Sequence, residues 1–478
     1  MQPPNPFSAP TPPTPRRRRR GTVTASVLAA GVALALSGCG STGNSNASTS
    51  GGGGLSSGSG SSGTATTAPK TSNNVASAKG NATSGNITWE ASPINTSGPD
   101  VRTVLIKAFE KQYPNIHVTL QSAPTSTTTY QSQLMTQIAG GSGPDVFMGD
   151  VIWPAQFGAR GLAVPISKYL PTSYFNTFAK GLIAGASYNG QVYGAPFFQD
   201  EGFLYYRKDL LKADGLQPPK TWAQVQSDSK TMLAKHQVQY GYVFQAADYE
   251  GATCDFMEFL ADEGGTVLTS NAKKAALGSA AVKALALEDS FVQKGLSPKN
   301  ESTFEEANAM TAFQNGQAAF MRNWDYGYST SQASGSKVIG KVGVEPMPSV
   351  SASNWPGYSN IGGWNLYINP HSKNVAADLT FIKWMTGQTA QTDLSTVASE
   401  IPTINVVRNS AKVKAINPVL AIVGETRLVA RPSQTPKYAA VSQAIYQNVS
   451  QSVAGSESPS AAVKNMTSSI NNALGGGL

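Results

Sequence analysis

An α/β fold in two lobes is what this sequence predicts, and three observations carry it. Short apolar strands alternate with helical patterns from Ile87 to Met148, the pattern restarts after Ala195-Pro196, and strand-like runs return between Gly340 and Asn369. Strands that alternate with helices argue a parallel sheet covered by helices, with ligand groups at the C-terminal ends of its strands. A chain that leaves one lobe, builds another and comes back accounts for the order. No internal repeat is visible.

The first lobe opens with a strand at Ile87 to Trp89. A helix then begins near Pro99, with Val101, Val104, Leu105, Ala108 and Phe109 at the spacing of one apolar face. Tyr113-Pro114-Asn115 stops it. Ile116, Val118 and Leu120 alternate as a strand, a helix follows from about Tyr130 to Ala139, and Val146-Phe147-Met148 is a short, wholly apolar run. Gly190 to Pro196 reads as a turn into an extended strand. Leu204-Tyr205-Tyr206 reads as a separate strand, and Thr221-Trp222-Ala223-Gln224 as a capping box. A helix-rich region runs to about Ser334, with Gly295 and Gly316 as helix stops. Ala376 to Met385 reads as an apolar helix.

The N-terminus reads as an address. Arg16 to Arg20 form a basic region, Gly21 to Leu36 an apolar stretch, and Leu36-Ser37-Gly38-Cys39 closes it. A membrane span needs about 20 residues; this stretch matches a signal peptide instead. Its ending resembles the bacterial lipobox, which implies cleavage before Cys39 and acylation of its thiol; a plain secretory signal is the alternative. From Gly40 to about Gly85 the composition changes to Ser, Gly, Thr, Ala and Asn, with almost no large apolar residue. Such a segment cannot bury enough apolar surface to offset its ordering entropy, so it reads as a tether.

The formal net charge is +8, but five of those charges are Arg16 to Arg20, and residues 1–38 carry no acid, which leaves +3 for the remainder. No Lys/Arg run remains there, so nucleic acid is not an expected partner. The chain has two cysteines. With Cys39 acylated, Cys254 has no disulfide partner and reads as a small buried hydrophobe.

Several strings of residues, in order, resemble one family. These are Gly141-Ser142-Gly143-Pro144-Asp145-Val146-Phe147 followed by Asp150, then Leu204 to Leu211, Tyr249-Glu250-Gly251, Phe313 to Met321, Asn323-Trp324-Asp325-Tyr326, Gly362-Gly363-Trp364 and Ala430-Arg431-Pro432. The family is that of the extracellular solute-binding proteins of ABC importers, in particular the group that includes the trehalose/maltose-binding proteins. The resemblance implies a two-lobe periplasmic-binding-protein-like fold (type II) with a hinged cleft that closes on sugar. It implies residues 86–195 with 362–405 in lobe one, and 196–361 with 406–478 in lobe two. It also implies a glucose-containing disaccharide such as trehalose or maltose as ligand, a membrane permease as partner, and a monomer held at the outer face of the cell membrane through Cys39. No cofactor, metal or catalytic residue is expected.

A neutral sugar needs directional partners for its hydroxyls and apolar cover for its ring faces. Asp150 follows a strand directly, as a ligand group or as a cap for the segment at Trp153. Asp200 lies just past the expected crossing strand and matches the family's second carboxylate; Glu201 beside it faces the other way on extended chain, so one of the two is structural. Asp100 serves as ligand or as a helix cap. Glu250 matches a stretch shared by the disaccharide binders. Trp324 and Tyr326, two apart, share a face if the segment is extended, and match a sugar-stacking pair. Gly363 precedes Trp364, for which the same role is implied, and Arg431 matches an arginine near the third crossing. The sequence departs from the family at Thr129-Tyr130-Gln131, where some members carry arginine, and at Asp325, often proline.

A glycoside-cleaving enzyme is the rival of a different class. Its acids sit on one rigid frame, whereas Asp150, Asp200 and Glu250 are spread over two lobes. The Gly-x-Ser-x-Gly match at Gly54 to Gly58 falls in the tether, where no nucleophile elbow forms, and His117, His236 and His371 have no metal-ligand spacing. A sugar-sensing lipoprotein without a transporter is the second alternative.

Overall fold

The computed structural model describes residues 81–94, 98–124 and 126–475. Arg16 to Arg20, the apolar run, Cys39 and the Ser/Gly-rich stretch to residue 80 lie outside them. Strand β1 (Gly85–Ala91), helix α1 (Val101–Gln112), β2 (Ile116–Ser122), α2 (Thr127–Ala139) and β3 (Val146–Asp150) open the body. β1 pairs in parallel with β2 and with β3. Helix α1 buries Val101, Leu105 and Phe109, together with Ile106, and Phe109 meets Phe381 edge-on at 5.1 Å. Burying each of these large side chains contributes about 1.5–3 kcal/mol. A helix of 12 residues needs that help, since isolated helices this short are marginal in water.

After α3 (Pro154–Ala159), strands β4 (Ser187–Tyr188) and β5 (Gln191–Val192) form a hairpin around Asn189 and Gly190, both at positive φ (45° and 72°), as a tight primed turn requires. Strand β6 (Ala195–Arg207) follows. It is one continuous strand of 13 residues, not the two that the sequence suggests. Its first part, to Glu201, pairs with β10 (Tyr358–Ile368), and from Gly202 onward it pairs with β8 (Ala318–Trp324) and β9 (Val342–Glu345). Asp200 is therefore inside the crossing strand rather than past its end. Every residue of β6 is buried, so the alternation that marks a half-exposed strand is missing, and Asp200-Glu201-Gly202 reads as a break when it is not one.

Helices α4 (Lys208–Asp214), α5 (Trp222–Ala234), α6 (Glu250–Asp262), α7 (Ser279–Gln293), α8 (Glu306–Gln314) and α9 (Gly327–Ser331), with β7 (Tyr240–Val243), fill the span between the crossings. The capping box Thr221 to Gln224 is formed. The chain returns through β10 to α10 (Val375–Met385), α11 (Gln388–Ala398), β11 (Ile401–Pro402), β12 (Arg427–Val429), α12 (Tyr438–Val453) and α13 (Pro459–Gly475).

The main sheet runs β2-β1-β3-β10-β6-β8-β7. One core gathers Ile87 to Phe198 with Leu366 to Ala398, and another gathers Leu204 to Phe320 with helices α12 and α13. The antiparallel pair β6 and β10 joins them. Cys254 is buried in α6, where burial pushes its thiol up. No described helix is long and apolar enough to cross a membrane.

Candidate functional site

The ends and crossings of four neighbouring strands meet at the middle of the sheet. Asp150, the last residue of β3, pairs in register with Trp364 of β10; Trp364 pairs with Phe198 of β6; and Gly202 of β6 pairs with Trp324, the last residue of β8. Side chains from both lobes are carried to one place by this row.

Arg431 is the polar centre. Its Nη2 donates to Asp150 Oδ1 at 3.2 Å and to the Ile361 carbonyl at 3.4 Å, while Nη1 donates to Glu250 Oε1 at 2.8 Å. Glu250 opens α6 and also accepts from the hydroxyls of Tyr438 (2.5 Å) and Ser442 (2.6 Å). Asp150 accepts from the backbone N–H of Ile152 at 3.2 Å. This is a local turn: the helix that follows has Trp153 at its N-cap position, with no side-chain cap. Burial raises the Asp150 pKa, and Arg431 opposes the shift. The Nε of Arg431 is buried and has no hydrogen-bond partner among the described residues.

Asp200 adjoins this group, close enough to feel both Asp150 and Arg431. It meets Asp325 and Glu400, three buried carboxyls whose oxygens lie within 4.8 Å of one another. Burial pushes Asp200 up to about 7 and lifts Asp325 and Glu400 well above the usual carboxylate range. Carboxyls this close in low dielectric do not all ionise, so the cluster holds protons at neutral pH. The donor set is all oxygen, the type that suits hard cations, and proton sharing satisfies it equally. Glu201 points away, as alternation requires, and is tied to Gln199, Arg408 and Thr426.

Trp324 is nearly buried, at 8% exposure. Its indole N–H donates to Glu306 Oε1 at 3.2 Å. A Cβ on Gly362 would lie 3.0 Å from Asp200 Cβ and 3.1 Å from Trp324 Cζ3, so glycine there lets the carboxylate and the ring close up. Tyr326 does not extend the strand: it has helical φ/ψ (−65°, −14°) and caps α9, so the shared-face argument fails. Asp325, between the aromatics, turns inward to Asp200, and Tyr326 still lies within electrostatic reach of Asp200. Gly363 sits at φ 115°, where a Cβ would come within 2.4 Å of the Phe198 carbonyl. Next to it, Trp364 is half-buried, with its ring edge-on to Trp153 at 6.5 Å.

Asp100 is engaged locally. It caps α1 through the Arg102 N–H at 3.0 Å and holds the Arg102 guanidinium at 2.7 Å, which keeps its pKa below the usual range. Sequence reasoning passed over Glu306, Arg322, Glu400 and Tyr438. Each is drawn in by tertiary contact, and only Arg322, two before Trp324 on one strand, left a local signal.

A comparison with known families matches residues 95–392 to the bacterial extracellular solute-binding proteins. The chain belongs to this family. A probable ABC transporter-binding protein of Deinococcus radiodurans is 32% identical over 350 residues, 70% of this chain and 81% of that protein. A maltotriose-binding protein of Pyrococcus abyssi is 22% identical over 317 residues, 65% of each chain. Among solved structures, maltose-bound MalE3 of T. maritima superposes with a TM-score of 0.74 at 30% identity, covering 81% of this chain and 99% of that one. A solute-binding protein from Thermotoga lettingae bound with α-D-tagatose superposes at 0.73 and 26% identity, over 82% of this chain and all (100%) of that one. The type II two-lobe architecture of this solute-binding protein agrees with these structures.

Proposed function

We propose that this solute-binding protein captures a sugar between its lobes and delivers it to the permease of an ABC importer. The carrying observation is the Asp150–Arg431–Glu250 bridge beside Trp324 and Asp200. It sets charge-assisted hydrogen-bonding groups next to an aromatic plane, the combination that hydroxyls and ring faces of a sugar need. Asp150, Asp200, Glu250, Trp324, Tyr326, Gly363, Trp364 and Arg431 form the proposed site. Asp100 is engaged by Arg102 and is not counted in the site.

A glucose-containing disaccharide such as maltose or trehalose is the proposed ligand class; relatives that bind maltose and maltotriose support it. Acylation at Cys39 would hold the protein at the outer face of the membrane, as its family's extracellular placement favours. Binding without catalysis is the reading. Titration calorimetry of the purified protein against a panel of disaccharides tests it: saturable heat with one or more glucosides and no free glucose released is the expected result. No heat with any sugar, or glucose released from maltose or trehalose, overturns it.

A further inference from the structure

Trp324 is held from three directions. Glu306 takes its N–H, Gly362 lies at the far edge of the ring, and the guanidinium of Arg322 covers one face with its carbon 4.0 Å from the ring centroid. Arg322 and Trp324 are two apart on β8, so both project from the same side of the strand.

We propose that Arg322 is a positioning residue that fixes the plane of Trp324 and so decides which face of the indole a sugar can use. This rests on the reading of Trp324 as a sugar-stacking residue. Arg322 is completely buried (0%). Its Nη2 and Nε donate to Glu258 at 2.6 and 3.1 Å, Nε also lies 3.1 Å from Asp255, and Nη1 donates to Gln245 Oε1 at 3.0 Å. The Gln245 amide returns a bond to the Arg322 carbonyl at 3.0 Å. A planar guanidinium bonded along its edges has its faces fixed, and one face is the one that meets Trp324.

The same network is tied to both crossing strands. Glu258 Oε1 accepts the Asn360 N–H of β10 at 2.9 Å, and a Cβ on Gly202 of β6 would lie 2.7 Å from Arg322 Nη2. The ring's orientation is thus set by the strands that join the lobes, and not by β8 alone. Well-packed apolar residues often replace a buried ion pair without loss of stability, so stability alone does not call for an arginine here. Holding an indole flat does.

Lysine keeps the charge but has no plane to stack, so Arg322→Lys isolates the geometric role. Its expected effect on maltose affinity, read by calorimetry, is a loss of about five- to tenfold, the scale of a cation–π contact that orders a ring. In a Trp324→Ala background the same change is expected to alter affinity by less than about twofold, the signature of coupling in a double-mutant cycle. In protein without sugar, the indole N–H resonance of Trp324, identified by its loss in Trp324→Ala, is expected to shift or broaden in Arg322→Lys. Gln245→Met, which leaves the charges in place but removes the amide that fixes the plane, is expected to act in the same direction and serves if Arg322→Lys does not fold. Unchanged affinity together with an unchanged Trp324 resonance overturns the proposal. A Trp324→Ala protein that binds maltose as well as the wild type overturns the stacking reading beneath it.

Discussion

Arg431 and Asp150 are 281 positions apart in the chain, and a hydrogen bond of 3.2 Å joins them in a nearly dry site. Removing the cation leaves Asp150 buried beside Glu250 with nothing to offset the charge. Arg431→Met is therefore expected to destabilise the protein at about pH 7.5 by about 3 kcal/mol, toward the low end for breaking a buried pair. Burial already raises the Asp150 pKa, so protonation relieves the strain, and the loss is expected to shrink at about pH 5. Denaturant titrations at the two pH values check this; an equal loss at both would show that Arg431 acts through packing alone.

The Asp200, Asp325 and Glu400 cluster predicts a pH slope. All three pKa values are raised in the folded protein, Asp200 from 3.8 to about 7, so the folded state holds protons that the unfolded chain releases. The stability they contribute is complete below about pH 4 and is lost as pH rises through about 7. Asp325→Asn removes one of these protons and is expected to flatten the fall by up to about 1.4 kcal/mol per pH unit within that window. Urea melts from about pH 4 to 8 on both proteins give the difference directly, free of carboxylates elsewhere with lowered pKa values. Parallel curves would mean that the cluster is not the source.

Much of this was legible in the sequence, for a physical reason. Helix α1 and strand β2 each keep a solvated face, so their periods survive, and the capping box at Thr221 is wholly local. Strand β6 reads as two pieces in the sequence because burial on both faces erases alternation. The shared face of Trp324 and Tyr326 holds only on extended chain, and the sequence alone does not show that Asp325 turns inward, because its neighbours Asp200 and Glu400 come from distant positions. Arg322 has only its spacing from Trp324 as a local signal, since its partners Asp255 and Glu258 lie on another element.

Gly363 and Gly190 offer a paired test. Both have positive φ, 115° and 72°, but a Cβ on Gly363 would meet the Phe198 carbonyl at 2.4 Å, whereas nothing among the described residues lies within 4 Å of one on Gly190. Gly190→Ala is expected to cost about 1 kcal/mol, the penalty of left-handed backbone alone. Gly363→Ala is expected to cost more than about 2 kcal/mol, because the backbones of β6 and β10 must part, and to weaken sugar binding through Trp364. Chemical denaturation ranks them; similar costs would refute the close-approach argument.

Cys39→Ala tests the anchor. Acyl chains on that residue are the hydrophobic attachment the sequence motivates, so the substituted protein is expected in the soluble fraction after cell fractionation, with sugar affinity unchanged. Retention of the processed chain on membranes would refute lipidation at Cys39 as the means of attachment.

Closure is the last expectation. Asp150 ends β3 on the side of one core, Trp324 ends β8 on the side of the other, and β10 and β6 run between them. A sugar that touches both walls binds the closed form better than the open one, and it shifts the equilibrium by that difference in affinity and no more. Trp324→Ala is expected to weaken binding by about 2 kcal/mol, the scale of a buried aromatic contact, and Asp150→Asn by a similar amount, about 2 kcal/mol for a lost charge-assisted hydrogen bond. In both variants, closure at a fixed sugar concentration should weaken along with binding. Small-angle scattering on the wild type should show a smaller radius of gyration at saturating maltose, and the variants should need correspondingly more sugar to reach it. If sugar binds tightly while the radius stays constant, binding does not close the cleft and the closure reading is overturned.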